Sequence, residues 1–301
     1  MFVRSQNSSS PKGAGLILDC LVALVVLAVL AWLVHRIGSR LQYTWRWSEI
    51  GRYLFWYDSD ARHLRTGYLV QGLLVTLRLS LYAILPALFL GLIMALARTS
   101  QDMFFRMIGR TYIETLRNLP PLVVIFLVYF FLTDQITPLS LLGELVRGLP
   151  ETEQSWLELL VAPPDSLVPF VSAVCTLALF ESAYFAEIFR AAIAAVDVGQ
   201  WEAGQALGMN RPQVLGLIIL PQAVRQSLPA LAGQGISLIK DSSIVSVISI
   251  QELTYQGSQL MASTYMTFEV WLVVAGLYFL LTFPCSLALS RLEQRYATQV
   301  A

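Results

Sequence analysis

Apolar positions in this chain gather into long uninterrupted blocks instead of alternating with polar ones. Six such blocks stand out, at 16–34, 69–97, 113–132, 168–190, 228–250 and 269–289. A helix needs about 20 apolar residues to cross the hydrocarbon core of a bilayer. Within lipid a segment must satisfy its own backbone polar groups, which favours helices. The pattern therefore predicts an all-α fold, a polytopic transmembrane helical bundle.

The first two blocks have individual features. The block at 69–97 is longer than a perpendicular span requires and contains Pro86, so a kink or a tilt is expected. The block at 16–34 follows Arg4 and Lys12, as a signal peptide would. It exceeds the roughly 7–15 apolar residues of a signal-peptide core, and no small-residue cleavage motif closes it. We expect a retained transmembrane helix, with a signal anchor or an interfacial helix as the alternatives.

The segments between the blocks differ in charge, and the difference predicts an orientation. Arginines mark 98–117, 190–225 and the C-terminal tail, whereas 133–167 has six acidic residues against a single arginine. Cytoplasmic loops carry the excess of Lys and Arg. We therefore expect a cytoplasmic C-terminus and an extracytoplasmic 133–167. Segment 35–68 disagrees, because it holds six arginines yet falls outside in this topology. Its tryptophans and tyrosines would suit an aromatic belt at the membrane surface.

Composition narrows the class of protein further. Hydrophobic residues make up 56% of the chain and charged residues 13%, where soluble domains carry about 25% charged residues. The formal net charge is zero and the only lysines are Lys12 and Lys240, so nothing indicates nucleic-acid binding. The three cysteines stand singly in apolar stretches, and the two histidines have no partner at ligand spacing. No metal site and no disulfide is expected.

The most informative polar segment is 197–221, where a short amphipathic helix is expected between two spans. Asp197 has the residue type of an N-cap, and Gln200 follows three residues later as in a capping box. Glu202 would lie in the first turn, where the helix dipole favours an anion. Gly208 can end the helix in the left-handed conformation. A short exposed helix held between two spans suits docking into a groove on a partner protein.

At this segment the chain resembles the membrane-spanning permease subunits of ATP-binding-cassette (ABC) importers. The loop of that family reads E-A-A, three residues, G, nine residues, then I-x-L-P. The matching positions here are Glu202, Ala203, Gly208, Ile218, Leu220 and Pro221, with Gly204 in place of the second alanine. Because glycine in a helix costs about 0.5–1 kcal/mol relative to alanine, the replacement should loosen the docking helix slightly.

The resemblance covers about residues 67–295 and narrows to the polar amino-acid permease branch, the histidine/glutamine/arginine transporter type. The stretches that follow the branch pattern, in order, are GLLVTLRLS (72–80), YIETLRNLPPLVVIFLVYF (112–130), AYFAEIFRAAI (183–193), ISLIKDSSIVSVISIQEL (236–253) and TFEVWLVVAGLYF (267–279). The second departs from the pattern, with R-N-L-P where the family usually has R-G-T-P. The expected division is an N-terminal extension with an extra transmembrane helix and loop (1–66), a five-helix type I permease core (67–295) and a cytoplasmic tail (296–301).

The resemblance also implies a mechanism and a set of partners. Two permease subunits, identical or sister chains, would face each other in the bacterial inner membrane. Two ABC ATPase subunits would bind the docking loops, and an extracytoplasmic binding protein would deliver an amino acid. ATP and magnesium would bind to the partner ATPase, whose closure the docking helix would transmit. Within the helix, Trp201 and Glu202 are expected to carry this coupling.

The residues agree independently with that division of labour. A phosphate-binding loop needs the pattern G-x-x-x-x-G-K-[ST], and neither Lys12 nor Lys240 follows a glycine. We therefore expect a transporter subunit that is not itself an enzyme and binds no cofactor of its own.

Ionisable residues inside membrane spans are costly, so each is a candidate for function. The residues expected along the substrate path are Glu181, Ser182, Tyr184, Lys240, Asp241, Ser242 and Ser246. Glu181 could meet the amino group or a basic side chain of the substrate, or be a buried carboxylate hydrogen-bonded to a neighbouring helix. Lys240 and Asp241 are adjacent and should have separate partners, because neighbours on a helix do not face each other.

Two further patterns concern polar side chains in the spans. Ser242, Ser246 and Ser249 recur at helical spacing and would share one face, either lining the path or allowing close helix packing. Glu187 is expected to form a local ion pair with Arg190, three residues on.

Two other classes of protein would also fit six spans. A channel or secondary transporter would explain buried charges, but it does not require a docking loop with this spacing. A membrane-embedded enzyme would need a chemical motif, and no G-x-S-x-G, H-E-x-x-H or paired-aspartate metal motif occurs. The sequence leaves open which amino acid is carried and whether the pore pairs identical or sister chains.

Overall fold

The computed structural model of the protein describes residues 20–29, 31–32, 36, 43–58, 63–135 and 143–297. It forms two compact units, Met1–Arg46 and Trp47–Ala301. In the first unit, the apolar helix α1 covers Cys20–Val29, and its side chains are exposed. Much of the predicted span 16–34 lies outside the described residues, so that span stays a prediction. Most of the predicted tail 296–301 lies outside them as well.

The second unit consists largely of helices. Their bounds are α2 Trp47–Leu54, α3 Tyr68–Thr99, α4 Met103–Asn118, α5 Pro121–Gln135, α6 Glu151–Leu160, α7 Leu167–Ala195, α8 Val198–Ala206, α9 Arg211–Val214, α10 Leu220–Asp241, α11 Leu253–Thr264 and α12 Thr267–Ala297. A π-helical turn, Leu215–Ile219, joins α9 to α10, and the 3-10 helices Pro164–Ser166 and Ser242–Ile248 precede α7 and follow α10.

Four continuous helical stretches are long and apolar enough to cross a membrane. They are Tyr68–Thr99, Pro164–Ala195, Arg211–Ile248 and Thr267–Arg291, which confirms four of the predicted spans. Pro86 lies inside the first of them, and the helix continues through it. If α4 and α5 cross as one broken span, the described part of the chain holds five.

The predicted continuous span at 113–132 is wrong. Helices α4 and α5 meet at a 115° bend. The break falls at Leu119, whose backbone is extended (φ −89°, ψ 147°). The residue before a proline is kept out of the helical region, and proline itself supplies no N–H. The Pro120–Pro121 pair therefore ends one helix and starts the next in a new direction.

The core depends on small residues that let α3 and α7 approach closely. Ala83, Ala87 and Ala95 on α3 are fully buried. A Cβ atom on Gly91 would lie 2.8 Å from the Cβ of Phe185 and 2.9 Å from the backbone oxygen of Ser182. Small residues at helix interfaces in membranes allow this backbone approach, so the polar residues of α7 are held against α3.

Residues 47–58 and 63–67 form a structured cap that the sequence did not predict. After α2, strand β1 (Phe55–Asp58) pairs antiparallel with β2 (His63–Thr66), with Trp56 opposite Arg65. Ile50 of α2 is buried in a cluster that includes residues of α3, α11 and α12. The compact second unit thus begins at Trp47, before the predicted boundary at 66/67, which stays a prediction for the permease core itself.

The acidic segment and the docking segment contact opposite parts of α3. Near the beginning of α3, Arg78 Nη1 donates to the backbone oxygen of Glu158 at 3.2 Å, and Tyr82 donates to that of Leu160 at 3.2 Å. Near its end, Leu96 and Thr99 line a cavity together with Trp201. The charge difference between these segments thus corresponds to a separation along the bundle.

Candidate functional site

Helix α8 forms where the sequence predicted the docking helix, a name kept here for α8, and its start follows the predicted cap only in part. Asp197 Oδ1 accepts a hydrogen bond from the Gly199 N–H at 2.7 Å, which confirms the N-cap. The predicted capping box with Gln200 is wrong, because the side-chain oxygen of Gln200 instead accepts from Gln222 Nε2 at 3.3 Å. This contact ties the docking helix to α10.

A complete capping box occurs one helix later. The Gln213 N–H donates to Asn210 Oδ1 at 3.0 Å, and the Asn210 N–H donates to Gln213 Oε1 at 2.9 Å. The pattern N-x-x-Q could have revealed it from the sequence. It fixes the start of α9, directly after the docking helix.

The exposed side of α8 differs from the expectation at one residue. Glu202 is exposed but lies beyond the first turn, because the helix begins at Val198; the predicted first-turn position is wrong. Ala203 is exposed beside it. Gly208 ends the helix with φ +78°, which confirms the left-handed C-cap. The neighbouring Leu207 is 80% exposed, so an apolar side chain projects at the tip.

Gly204 lies on the buried side of α8 and has a packing role. A Cβ atom there would lie 2.8 Å from Val214 Cγ2 and 3.1 Å from Ile218 Cδ1. The alanine of the family pattern would require these side chains to shift. Glycine therefore allows α8 to approach the π-helical turn closely, although it has a lower helix propensity than alanine.

Trp201 links the docking helix to the segment that follows it. The guanidinium carbon of Arg211 lies 5.1 Å from the centre of the Trp201 ring, within cation–π range. Both residues line a cavity of about 430 Å³ beside the end of α3. Leu220, like Trp201, is partly buried against an apolar cluster that includes Val214 and Ile219. Pro221 occupies the first turn of α10, where proline is tolerated.

Glu181 is fully buried on α7 and only partly satisfied. Its Oε2 accepts a hydrogen bond from Gln234 Nε2 of α10 at 2.9 Å. Its Oε1 has no hydrogen-bond partner among the described residues. The half-buried carboxyl group of Asp241 lies within electrostatic range of it. Two neighbouring carboxyl groups repel each other unless one of them holds a proton or a cationic group lies between them, which makes the pair a candidate site for a cation.

Ser182 and Tyr184 flank Glu181 but make different contacts. Ser182 Oγ lies 2.6 Å from the hydroxyl of Tyr112 and donates to the Leu179 backbone oxygen at 2.7 Å. Tyr184 is half-buried, and the guanidinium carbon of Arg117 lies 5.8 Å from its ring centre. Ser182 thus joins α7 to α4 through Tyr112, whereas the ring of Tyr184 contacts the guanidinium group of Arg117.

The predicted serine face is wrong, because the α-helix ends at Asp241 and a 3-10 helix follows. With three residues per turn, positions spaced for an α-helix no longer share a face. Ser242 is fully buried and donates to the Ile239 backbone oxygen at 2.7 Å. Ser246 is only partly buried, and Ser249 is exposed in a left-handed turn with φ +63°.

Lys240 and Asp241 have different surroundings, as predicted. Lys240 is exposed and lines a cavity of about 320 Å³ together with Thr254, Trp271 and Tyr278. Asp241 interacts with Glu181 instead. The structure therefore does not bring all the predicted path residues into one cavity.

The predicted pair of Glu187 with Arg190 is confirmed and is part of a larger ionic cluster. Glu187 Oε1 accepts from Arg190 Nη2 at 2.6 Å and from Arg190 Nε at 3.0 Å. Its Oε2 lies 3.1 Å from Arg98 Nη1 and 3.7 Å from Arg117 Nη1. These partners come from α3 and α4, so sequence spacing could not reveal them.

Glu252 is a buried carboxylate that sequence reasoning missed. It is the N-cap of α11, and its Oε1 accepts from the Tyr255 N–H at 2.8 Å. Its Oε2 accepts from the hydroxyl of Tyr278 at 2.8 Å and from Thr76 Oγ1 at 3.2 Å. Burial raises the pKa of Glu252, and the hydrogen bonds offset that shift only in part.

Comparison with known proteins places this arrangement in a family. Residues 87–298 match the family described as the binding-protein-dependent transport system inner membrane component. The chain belongs to this family. The predicted all-α permease fold and the recognition of an ABC importer permease are thereby confirmed. As a component of such a system, the permease works with an ATPase and a substrate-binding protein.

Relatives and a solved structure agree with this assignment. The permease is 33% identical over 227 residues to the glutamine transport system permease protein GlnP of Escherichia coli K12, covering 75% of the permease and 92% of GlnP. It is 32% identical over 230 residues to the glutamate/aspartate import permease protein GltK of E. coli O157:H7, covering 76% and 94%. A crystal structure of an amino acid ABC transporter with histidines matches with a TM-score of 0.63 and 31% identity, covering 84% of the permease and 100% of that chain.

Proposed function

We propose that the permease is a translocation subunit of an amino-acid importer and that segment 197–221 couples it to separate ATPase subunits. The relatives are named for the transport of glutamine and of glutamate and aspartate, which supports amino acids as the substrate class. ATP and magnesium then bind on the ATPase, and this chain has no nucleotide site of its own. The C-terminus, which follows Arg291 and Arg295, and segment 190–225, which contains the docking helix, lie in the cytoplasm, as the arginines of both favour.

The contacts that hold the docking helix carry this proposal. Asp197 caps its start and Gly208 ends it. Gln200 and Trp201 hold its flank through contacts with Gln222 and Arg211. A helix fixed in this way moves as one body with α10. It can therefore transmit a displacement from a partner to the spans.

The exposed surface of the helix supplies the docking contact. Glu202 and Ala203 are exposed, and Leu207 and Val198 are 80% and 67% exposed. Apolar side chains beside a single carboxylate suit a groove on a partner protein. The path for the substrate then involves Glu181 and Asp241, which favour the ammonium group that every amino acid carries.

Charge reversal at Glu202 tests the coupling role. We expect Glu202→Lys to abolish both retention of the ATPase during purification and ATP-dependent amino-acid uptake. Glu153→Lys is the matched control, because Glu153 is an exposed glutamate of α6 near the other end of α3, and it should leave both unchanged. Intact ATPase association and uptake in Glu202→Lys would show that this surface does not couple the subunits.

Purification of the tagged chain from mild detergent tests the proposed assembly. An ATPase together with a sister permease would define a heteromeric importer, and an ATPase alone would indicate two copies of this chain. Recovery without any ATPase, under conditions that keep related assemblies intact, would favour a channel.

A further inference from the structure

Lys240 carries a positive charge near the middle of the membrane. It is the penultimate residue of α10, inside the apolar stretch Arg211–Ile248. Its side chain is exposed and lines a cavity together with Tyr278, which lies close to the centre of the span Thr267–Arg291. A lysine at this depth is costly unless it faces water or meets a counterion. Its position therefore favours a cavity that opens to an aqueous path over one that faces lipid tails.

Within the described part of the chain, the ammonium group of Lys240 has no hydrogen-bond partner and no ion pair. Its charge acts on the neighbouring carboxyl group of Asp241, but that group interacts with Glu181. Adjacent helical residues do not face each other, and neither of these two acids lines the cavity. Glu252 does not line it either, and other donors satisfy both of its oxygens. The cavity thus holds a positive charge that no described carboxylate neutralises at contact distance.

A second hydrogen-bond donor lies beside Lys240. Ser243 lines the same cavity three residues later, where the α-helix gives way to a 3-10 helix and side chains at i and i+3 eclipse. Its hydroxyl group has no partner among the described residues. The other hydroxyl groups of the wall are engaged, because Tyr278 donates to Glu252 Oε2 and lies 3.0 Å from the hydroxyl of Thr254. The ammonium group and the Ser243 hydroxyl are therefore the two donors left for a ligand.

The chemistry and size of the cavity fit a small carboxylate. An ionised carboxyl group only accepts hydrogen bonds, and its two oxygens can take one donor each. The cavity has a volume of about 320 Å³ and an apolar wall of Trp271, Val274 and Ala275, and small-molecule sites begin at about 300 Å³. A lipid phosphate fits less well, since headgroups lie about 15 Å from the midplane of a hydrocarbon core roughly 30 Å thick.

We propose that this cavity is a substrate subsite in which Lys240 and Ser243 bind the carboxylate group of the transported amino acid. The proposal rests on the proposed function, because it takes amino acids as the substrate class. It adds a contact that is separate from the carboxyl pair of Glu181 and Asp241. Since every amino acid has an α-carboxylate, Lys240 contributes to the binding of any substrate of the permease, and it leaves selectivity to other groups.

Chemical modification tests the anion site without any transport step. Ser243→Cys is introduced into the full-length chain, with the three native cysteines replaced by serine, and the chain is reconstituted in proteoliposomes. Relative to their rates with free cysteine, we expect an anionic thiosulfonate reagent to react about tenfold faster than a cationic one, because the charge of Lys240 attracts anions. Adding Lys240→Gln should abolish this preference. Arg225→Gln is the matched control, because Arg225 is an exposed cation of the same helix outside the cavity, and it should leave the preference unchanged.

Protection by substrate tests the carboxylate contact itself. The probes are glutamine, glutamate and aspartate, the substrates named for the relatives. A probe that the wild-type importer takes up should slow modification of Ser243→Cys, whereas its α-amide, which lacks the α-carboxylate, should not. In the reconstituted importer, Lys240→Gln should lower uptake of that probe about tenfold, the effect of one lost interaction. Lys240→Arg keeps the charge and should lose less, and both variants should retain the ATPase.

Two outcomes would overturn the proposal. Equal relative rates for the anionic and the cationic reagent would show that the cavity does not attract anions. An anion preference with no protection by a transported probe, or with equal protection by its α-amide, would assign Lys240 to another anion, such as a carboxylate of the neighbouring permease. Failure of the wild-type importer to take up any amino acid would instead contradict the proposed function, and the reagent rates would still decide whether the anion site exists.

Discussion

Glu252 and Glu181 are both fully buried carboxylates of the same chain, but their surroundings differ. Glu252 accepts hydrogen bonds on both oxygens, from the backbone of α11 and from side chains of α3 and α12. Glu181 accepts one, from Gln234, and its Oε1 has no partner among the described residues. A buried carboxylate is expensive unless it is fully hydrogen-bonded. The hydrogen bonding of Glu252 is therefore complete on both oxygens, whereas that of Glu181 is not.

From this difference we predict that Glu252 has a structural role and Glu181 a role in transport. Glu252 caps a helix and joins elements far apart in the sequence, and Thr76 extends the network by accepting from the Leu253 N–H at 3.1 Å. The carboxylate of Glu252 therefore needs no ligand to complete its hydrogen bonding. Glu181 retains a free acceptor near Asp241, which is the arrangement expected where a cationic ligand completes the site. The comparison predicts that removing each carboxylate has opposite consequences for stability and transport.

Truncation of Glu252 should have the largest effect on stability. Glu252→Ala removes the N-cap of α11 and leaves three donors without their acceptor, among them the Tyr255 N–H and the Tyr278 hydroxyl. Each stranded buried donor costs about 1–3 kcal/mol, so we expect a loss of about 4 kcal/mol. Thermal unfolding of the purified chain in detergent measures it. Glu153→Ala, at an exposed glutamate, is the control, and equal unfolding temperatures for the two variants would refute the structural role.

Removal of Gln234, which donates a hydrogen bond to Glu181, should cost less, though clearly more than a surface change. Gln234→Leu keeps the side-chain size approximately but leaves the carboxylate with no donor from α10. Loss of one partner from a buried charged group costs about 2 kcal/mol. The same unfolding measurement applies, and Gln226→Leu, at an exposed position of the same helix, is the matched control. An unchanged unfolding temperature would mean that Gln234 does not support Glu181.

Local features of the sequence predicted much of the fold, because they depend on neighbouring residues. The long apolar blocks predicted four continuous spans, and Asp197 and Gly208 marked the ends of the docking helix. The capping box at Asn210 and Gln213 also depends on neighbouring residues, but the sequence analysis placed a capping box at Asp197 instead. The break between α4 and α5 also has a local cause, the Pro120–Pro121 pair, but the prediction followed the continuous apolar block around it.

The contacts that complete the buried sites could not be predicted in this way. The partners of Glu252 lie 176 and 26 residues away, and that of Glu181 lies 53 residues away. Their pairing is decided by the packing of α3, α7 and α10, which no periodicity encodes. The cap was missed for a related reason: Ile50 is the one buried residue of α2, which is too little to signal a folded segment.

A single hydroxyl of the Glu252 network allows a finer test. Tyr278→Phe removes one of three hydrogen bonds to the carboxylate and keeps the ring. The remaining donors still satisfy both oxygens, so the expected cost is about 1 kcal/mol. Tyr265→Phe, at a tyrosine that is 79% exposed, should change nothing measurable in thermal unfolding. A loss as large as that of Glu252→Ala would mean that Tyr278, and not the carboxylate, organises the network.

The smallest effect on stability should come from Glu181→Gln, together with the clearest effect on transport. The amide keeps the shape of the side chain and removes a buried charge that the protein satisfies only in part. Replacing such a charge is often neutral or stabilising, so we expect the unfolding temperature to stay the same or to rise. Uptake in proteoliposomes should fall about tenfold, the equivalent of one lost interaction of about 1.4 kcal/mol with the cationic group of the substrate. A variant that unfolds more easily yet transports normally would reverse the comparison, and it would make Glu181 a second structural carboxylate like Glu252.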